Sequence, residues 1–493
     1  MALIPLQIPP GIYRNGTEFQ QSNRWREANL VRWIDNTMQP IGGWKQRSQT
    51  AATNKIRGLI TWSTNSDVRY IAGGTYANLY AYNAAGTRYD ITPAGFTSGR
   101  EDANAYTGYG SGAYGYDEYG VGRQDITTIE AATTWSLDTW GEYLVACSSD
   151  DGKIYEWQIN TATPAAVVTN APTGNIGIVV TDERFLFALG AGGDPRKVQW
   201  CDKENNTLWT PAATNEAGDI LLQTAGNIMC GIKVKGQVLI LTDIDAHTAT
   251  YQGPPYVYGF ERVGTACGIA SKKAAASTDF GAMWMGKKAF FTYSGGAVSR
   301  LQSDVSDYVF SDINESQISK AFATTNSRYS EIWWFYPSSD STECNRYVSF
   351  NYLENTWAIG QLGRTSGVDQ GAFRYPLYAS SSDNHIYDHE KGYIYDSLTP
   401  YAESGPISIG NGDQIAYVTE MIPDEKTQGD VNVTFKTRFY PNGTESSHGP
   451  YSMSNPTSMR FSGRQVRLRV EGQRLADWRV GVNRLEVVPG GRR

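Results

Sequence analysis

The sequence predicts an all-β protein built around a β-propeller of six or seven blades, and two observations carry that expectation. A short apolar and aromatic run, preceded by a polar or glycine pair, recurs at Val68–Ala72 (VRYIA), Tyr143–Cys147 (YLVAC), Phe185–Leu189 (FLFAL), Val238–Leu241 (VLIL), Ala289–Tyr293 (AFFTY), Ile332–Tyr336 (IWWFY) and Tyr375–Ala379 (YPLYA). These runs start 75, 42, 53, 51, 43 and 43 residues apart, and all but the first spacing match the length of a propeller blade. The composition agrees, because 31 Tyr, 14 Trp and 51 Gly in 493 residues are the material of strands and tight turns.

Taken in order, residues 1–55 form an N-terminal arm or platform segment. Its Arg24-Trp25-Arg26, Val31-Arg32-Trp33 and Gly42-Gly43-Trp44 supply aromatic anchors. Residues 56–400 hold the repeats, most of them followed by a turn and a second alternating run, such as Asp151-Gly152 ahead of Lys153–Trp157 (KIYEW), which is the pattern of hairpins. A string of separate β-sandwiches would need several linkers. The clearest one between Asp125 and Pro400 is Thr161–Gly174, too few for that arrangement.

The long first spacing contains a Tyr/Gly-rich insertion, residues 93–124, with Tyr106, Tyr109, Tyr114, Tyr116 and Tyr119 among its glycines. A tract of this composition buries no core of its own and is expected as a surface loop, whose tyrosines offer stiff contact area to a partner. Beyond Pro400 the repeat stops. Residues 401–493 alternate apolar and polar positions between turns such as Pro441-Asn442-Gly443, the pattern of a small C-terminal β-sandwich.

The ingredients of catalysis are sparse. His385 and His389 stand four apart near Asp383 and Asp388, but on an alternating hairpin they share a face without being neighbours, and no metal is expected. Gly281–Lys288 (GAMWMGKK) resembles the start of a phosphate-binding loop, yet Lys288 replaces the hydroxyl that holds magnesium, and Met283-Trp284-Met285 reads as a core strand. Ser148, Asp150 and Gly152 form one incomplete copy of the aspartate-box turn, with Tyr155 where that box carries Trp. No enzyme, cofactor or metal site is therefore expected. The five cysteines, an odd number with no C-x-x-C pair, read as small core residues in a reduced compartment. Neither a membrane span nor a secretory signal is apparent, so no membrane insertion is expected.

Charge is more informative. Lys+Arg is 43 against 50 Asp+Glu, a formal −7 that argues against a general nucleic-acid binder. Yet Arg460 to Arg493 holds nine arginines against Glu471, Asp477 and Glu486, a local +6 that leaves −13 for the remainder. Within Gln465–Glu471, Val466, Leu468 and Val470 are expected to face inward and Arg467 and Arg469 outward. Guanidinium is planar and weakly hydrated, which suits a fixed interface. Arg464, Arg467, Arg469, Arg474 and Arg479, with Trp25, Arg26, Arg32 and Trp33, are the candidate docking residues.

Gln7–Gly16 (QIPPGIYRNG) leading to Trp25, Ala28-Asn29, Val31-Arg32-Trp33 and Gly42-Gly43-Trp44, the Trp200–Leu222 stretch and the Tyr/Gly insertion together resemble the tail hub, or nozzle, of short-tailed bacteriophages, also called the packaged-DNA stabilisation protein. The resemblance covers most of the chain. It implies a non-enzymatic virion protein in the phage tail, assembled in the host cytoplasm as a homo-oligomeric six-fold ring below the head-to-tail adaptor. It further implies a central channel for DNA ejection, through which genomic DNA passes without specific binding, and side surfaces for tail fibres or spikes. The alternative is a phage or secreted propeller that binds or cleaves surface carbohydrate.

Overall fold

Short alternating runs broken by Gly, Asn and Asp turns favour antiparallel hairpins over longer-range strand pairing. In the computed structural model, which describes residues 2–105, 129–409, 414–440 and 443–491, these hairpins assemble into seven four-stranded antiparallel sheets. Blades one to six span residues 59–90, 135–167, 177–221, 228–264, 275–301 and 322–361, each made of four consecutive strands. The chain is thus nearly all-β, with one short α-helix, Ser306–Asp312, among the described residues. The propeller has seven blades.

Blade seven is built from both ends of the chain. Arg364–Val368, Leu377–Ser380 and Ile386–His389 supply three strands, and Trp44–Gln46 from the N-terminal segment supplies the fourth, with Trp44 opposite His389 and Gln46 opposite Tyr387. Pairing of the first blade-forming strand with the last ties the ring shut. It also places part of the segment before residue 56 inside the propeller.

Each blade buries both of its faces against neighbours, which explains why the apolar runs recur. Blades one and two share Ala72, Ala81, Trp135, Leu144 and Tyr155; blades three and four share Phe187, Trp200, Ile240 and Tyr258. Blades seven and one share Leu377, Ile386, Ile71 and Tyr82, so the apolar layer continues across the closure. The repeated runs fall on the second strand of six blades, where a strand has partners on both sides and a blade above and below. In blade five the run falls on the third strand, Phe290–Ser294, and the second is the fully buried Gly281–Met285. Several buried blade tryptophans satisfy their indole N–H on backbone carbonyls, as where Trp135 donates to Thr75 at 2.6 Å and Trp284 to Cys267 at 2.7 Å. The innermost strands of all seven blades enclose a central cavity of about 190 Å³.

After Pro400 the chain forms two further sheets. One has the order Ala2–Pro5, Arg484–Pro489, Ala416–Ile422, Thr457–Gly463; the other runs Trp25–Asn29, Tyr401–Ser404, Gln465–Gly472, Val431–Arg438, Ser446–Ser452. Val418, Met421, Phe461, Leu485 and Val487 of the first share one core with Val433, Phe435, Val466, Leu468 and Val470 of the second, and the Phe435 and Phe461 ring centroids lie 5.0 Å apart. Each of these sheets takes a strand from the first 30 residues. Residues 1–55 are therefore divided between the two bodies and do not stand apart from them.

A buried ion cluster fixes this threading. Arg32 forms a two-bond fork to Glu331 (2.9 and 3.0 Å) and reaches Glu390 at 2.5 and 3.0 Å, with all three side chains buried. The Tyr329 ring lies 3.7 Å from its guanidinium. Glu331 also accepts from the Trp333 indole, and Glu390 from the Gly42 amide and Asn326. Burial penalises the guanidinium, but two carboxylates on it hold Arg32 firmly charged, raising its pKa. Burial wins for Glu331, whose pKa is raised despite Arg32.

Candidate interface and the fate of the predicted site residues

The strand Gln465–Gly472 alternates as its sequence requires. Val466, Leu468 and Val470 enter the core, while Arg467 and Arg469 lie on the opposite face of the sheet. That face is occupied from within the chain. Glu403 on Tyr401–Ser404 stands opposite Arg469, and Lys436 on Val431–Arg438 stands opposite Arg467. Glu403, 3% exposed, receives Lys436 Nζ at 2.9 Å on both oxygens, Arg467 Nη2 at 2.6 Å and Arg469 Nη1 at 3.5 Å.

Arg467 continues to Glu445 at 3.0 Å, Arg469 to Glu471 at 3.3 Å, and the Arg469 guanidinium covers the Tyr401 ring at 3.8 Å. At the N-terminal edge Arg26 and Arg438 both hold Glu18, and Arg14 holds Glu27 at 2.8 Å. Burial together with nearby Arg14 and Arg467 lowers the pKa of Arg26, and the Glu403 carboxylate raises that of Arg467 against its own burial.

The predicted docking residues therefore separate into four groups. Trp25, Arg32 and Trp33 are buried, the two indoles 6.1 Å apart, and serve internal packing. Arg26, Arg467 and Arg469 belong to the charge ladder; Arg467 and Arg469 are 13% and 26% exposed, so the outward face expected for them is largely covered. Arg464 places its guanidinium 5.2 Å from the Tyr440 ring centroid. Arg474 (75% exposed, 3.2 Å from Asp430) and Arg479 (46%, 3.6 Å from Asp477) remain on the surface beside exposed Leu475. Arg460 and Arg484 are exposed as well. Sequence reasoning missed Glu403, whose one local signal is a lone acid alternating with Ala402 and Ser404.

Tyr106, Tyr109, Tyr114, Tyr116 and Tyr119 lie outside the described residues. The stem of their insertion is described: Asn104–Ala105 pairs with Ile129–Glu130, and the Gln317 side chain binds both the amide (3.0 Å) and the carbonyl (2.8 Å) of Ala103. Asp102 pairs with Lys320. The stem, leaving between blades one and two, is thus fastened to the connection between blades five and six, across the mouth of the central cavity.

The other chemical candidates have structural duties. His389 is buried between Trp44 and Tyr378 and accepts a hydrogen bond from Arg364 Nε at 2.9 Å; burial and that guanidinium hold its pKa well below the usual imidazole value. Among the described residues, no group of three or more His, Cys, Asp or Glu is placed to hold a metal ion. All five cysteines are free; burial pushes the thiols of Cys147, Cys201, Cys230 and Cys344 up to about 12, which suppresses thiolate chemistry. Ser148–Gly152 turns between the second and third strands of blade two. Gly152 has φ +66°, and a Cβ there would come within 2.8 Å of the Gly174 backbone, which accounts for the glycine without catalysis.

No family model matches the chain, and no curated protein does. Among solved structures it is similar to virginiamycin B lyase from Staphylococcus aureus (7% identity, TM-score 0.42, covering 70% of this chain and 99% of that one). It is also similar to the β-propeller domain of Cps50 (Swd1) from Myceliophteria thermophila (8%, 0.42, 71% and 99%) and to PorZ, a surface component of the type-IX secretion system of Porphyromonas gingivalis (8%, 0.38, 86% and 53%). At such identities these likenesses concern the propeller fold alone.

Proposed function

We propose that this chain is a structural subunit of a short phage tail, the hub or nozzle, in which a six-fold ring of copies surrounds the path of the ejected DNA. The observation that carries the reading is the threading of residues 1–55. The residues that underlie the tail-hub resemblance, Trp25, Val31-Arg32-Trp33 and Gly42-Gly43-Trp44, are those that lock the propeller and the C-terminal sheets into one rigid piece. A scaffold under internal pressure needs that rigidity; a binding module on a flexible tether does not.

The propeller's own cavity holds only about six waters at ~30 Å³ each, so a duplex has to pass between copies. The opposite signs of the C-terminal stretch and the remainder suit a head-to-tail contact, in which exposed Arg460, Arg474, Arg479 and Arg484 of one copy meet an acidic surface of the next. An acidic channel wall lets a polyanion slide. The head-to-tail adaptor and the tail fibres or spikes are the further partners under this reading.

Sedimentation of the purified chain across a salt series, with duplex DNA added in parallel, tests it. Rings that dissociate as salt rises, with no tight DNA binding at physiological salt, are expected. Tight DNA binding lost on replacing Arg474 and Arg479 would make the C-terminal sheets a nucleic-acid-binding module instead. A salt-insensitive monomer that binds polysaccharide would favour a carbohydrate-binding propeller.

A further inference from the structure

The central cavity carries charge that its walls do not neutralise. Its lining, drawn from all seven blades, includes Arg57, Lys272, Lys273 and Lys320 and no carboxylate. Lys320 is matched from beyond the wall by Asp102 and by Glu343 Oε1 at 3.0 Å, and Arg57 Nη2 reaches the same Glu343 oxygen at 2.5 Å. Arg57 is nonetheless buried with its Nε and Nη1 donors unpaired.

Lys272 and Lys273 have no ion-pair partner among the described residues. The carboxylates nearest in influence are engaged elsewhere, Asp138 with Lys233 at 3.2 Å and the Val180 amide, and Asp150 with Thr133 and Arg100. Lys272 and Lys273 line this space half-buried, and the unpaired donors of buried Arg57 lie on the same wall. Burial lowers the pKa of both lysines, the direction expected of cations held without a counter-charge. The buried, unpaired donors of Arg57 carry a cost that an acceptor in the cavity would relieve.

We propose that the central cavity is a binding site for a compact tetrahedral oxyanion, inorganic phosphate or the phosphoryl head of a small ester, held by Lys272, Lys273 and the free edge of Arg57. Charge and size both select this class. Phosphate carries about −1.5 to −2 at neutral pH and offers several acceptor oxygens, which matches the two unpaired lysines. A cavity of about 190 Å³ admits it with a few waters but is smaller than the roughly 300–1,000 Å³ of pockets that enclose drug-sized ligands. A second space of about 170 Å³, lined by Ile129, Ala132, Ser316, Ile318 and the exposed carboxylate Glu315, adjoins the cavity beneath the insertion stem and shares Thr134, Met229 and Lys272 with it. The bound anion would tie together the segments entering blades one and five, next to the Lys320 contact that fastens the stem. This site does not depend on the tail-hub reading.

Isothermal titration of the full chain with sodium phosphate at constant ionic strength, with methyl phosphate and malonate as parallel ligands, tests the proposal. One equivalent of phosphate should bind, and the double variant Lys272→Met/Lys273→Met should bind at least about tenfold more weakly, since each charge-assisted hydrogen bond contributes ~1.5–3 kcal/mol. Methyl phosphate binding as well as phosphate assigns the phosphoryl head; rejection of it assigns the free ion. No phosphate binding by the natural chain, equal binding by the double variant, or tighter binding of malonate would overturn the proposal. Should the variant fail to fold, crystals of the natural chain grown with selenate decide: an anomalous peak inside the cavity is expected, and an empty cavity contradicts the site.

Discussion

Glu403 holds Lys436 together with Arg467 and Arg469, the two arginines that the sequence places on an outward face. Each of them keeps some contact with water, so the cost of removing their shared carboxylate falls below the ~3–5 kcal/mol of a fully enclosed pair; Glu403→Gln should destabilise the chain by about 2–3 kcal/mol in denaturant unfolding. By the same logic Arg467→Glu/Arg469→Glu, at positions the sequence places on an outward face, should lower the melting temperature by confronting Glu403 with two like charges. An unchanged midpoint for both variants would show the ladder to be ornamental. His389 gives a pH signature. Its neutral imidazole accepts from Arg364, so the folded-state pKa lies well below 6.5, and as pH falls through about 6.5 the unfolded chain takes up the proton first. The stability this group confers is present above that pH and is lost below it with a limiting slope of ~1.4 kcal/mol per pH unit. His389→Gln should flatten the fall in melting temperature between pH 7.5 and 5.5, whereas an identical profile would contradict the assignment.

At the level of elements, what was legible in the sequence was what each strand carries within itself. Tyr143–Cys147 or Ile332–Tyr336 announces a central blade strand because its burial is written in its own side chains. Pairing partners are not written there. Trp44–Gln46 is three residues long, with one buried side chain, and its partner lies more than 300 residues away. Ala2–Pro5 and Trp25–Asn29 join sheets completed near the C-terminus for the same reason. The blade count stayed at six or seven because blade five shows its run on a neighbouring strand and blade seven borrows one. Removing residues 2–50 should therefore open the edge of Ile386–His389 and unravel the ring. Limited proteolysis is expected to cut first within residues 364–389, together with a melting transition lowered and broadened. Cooperative melting at the original temperature would mean that the ring closes without its N-terminal strand.

For the whole molecule, the candidate site is only partly legible: the sign and place of the C-terminal charge can be read, but not that Arg467 and Arg469 are matched internally by Glu403, Glu445 and Glu471. Arg460, Arg474, Arg479 and Arg484 remain exposed, Arg474 and Arg479 each beside a carboxylate, against a −13 remainder. Such a division favours association between unlike faces, and a rotation that repeats such a contact closes a ring. Under the proposed function, copies of this chain, and not the single propeller, surround the DNA path. Electron microscopy of the full chain at low ionic strength tests it most directly. Six-fold rings with an open axis wide enough for a duplex are the predicted result, and monomers or closed trimers without an axial channel would contradict it.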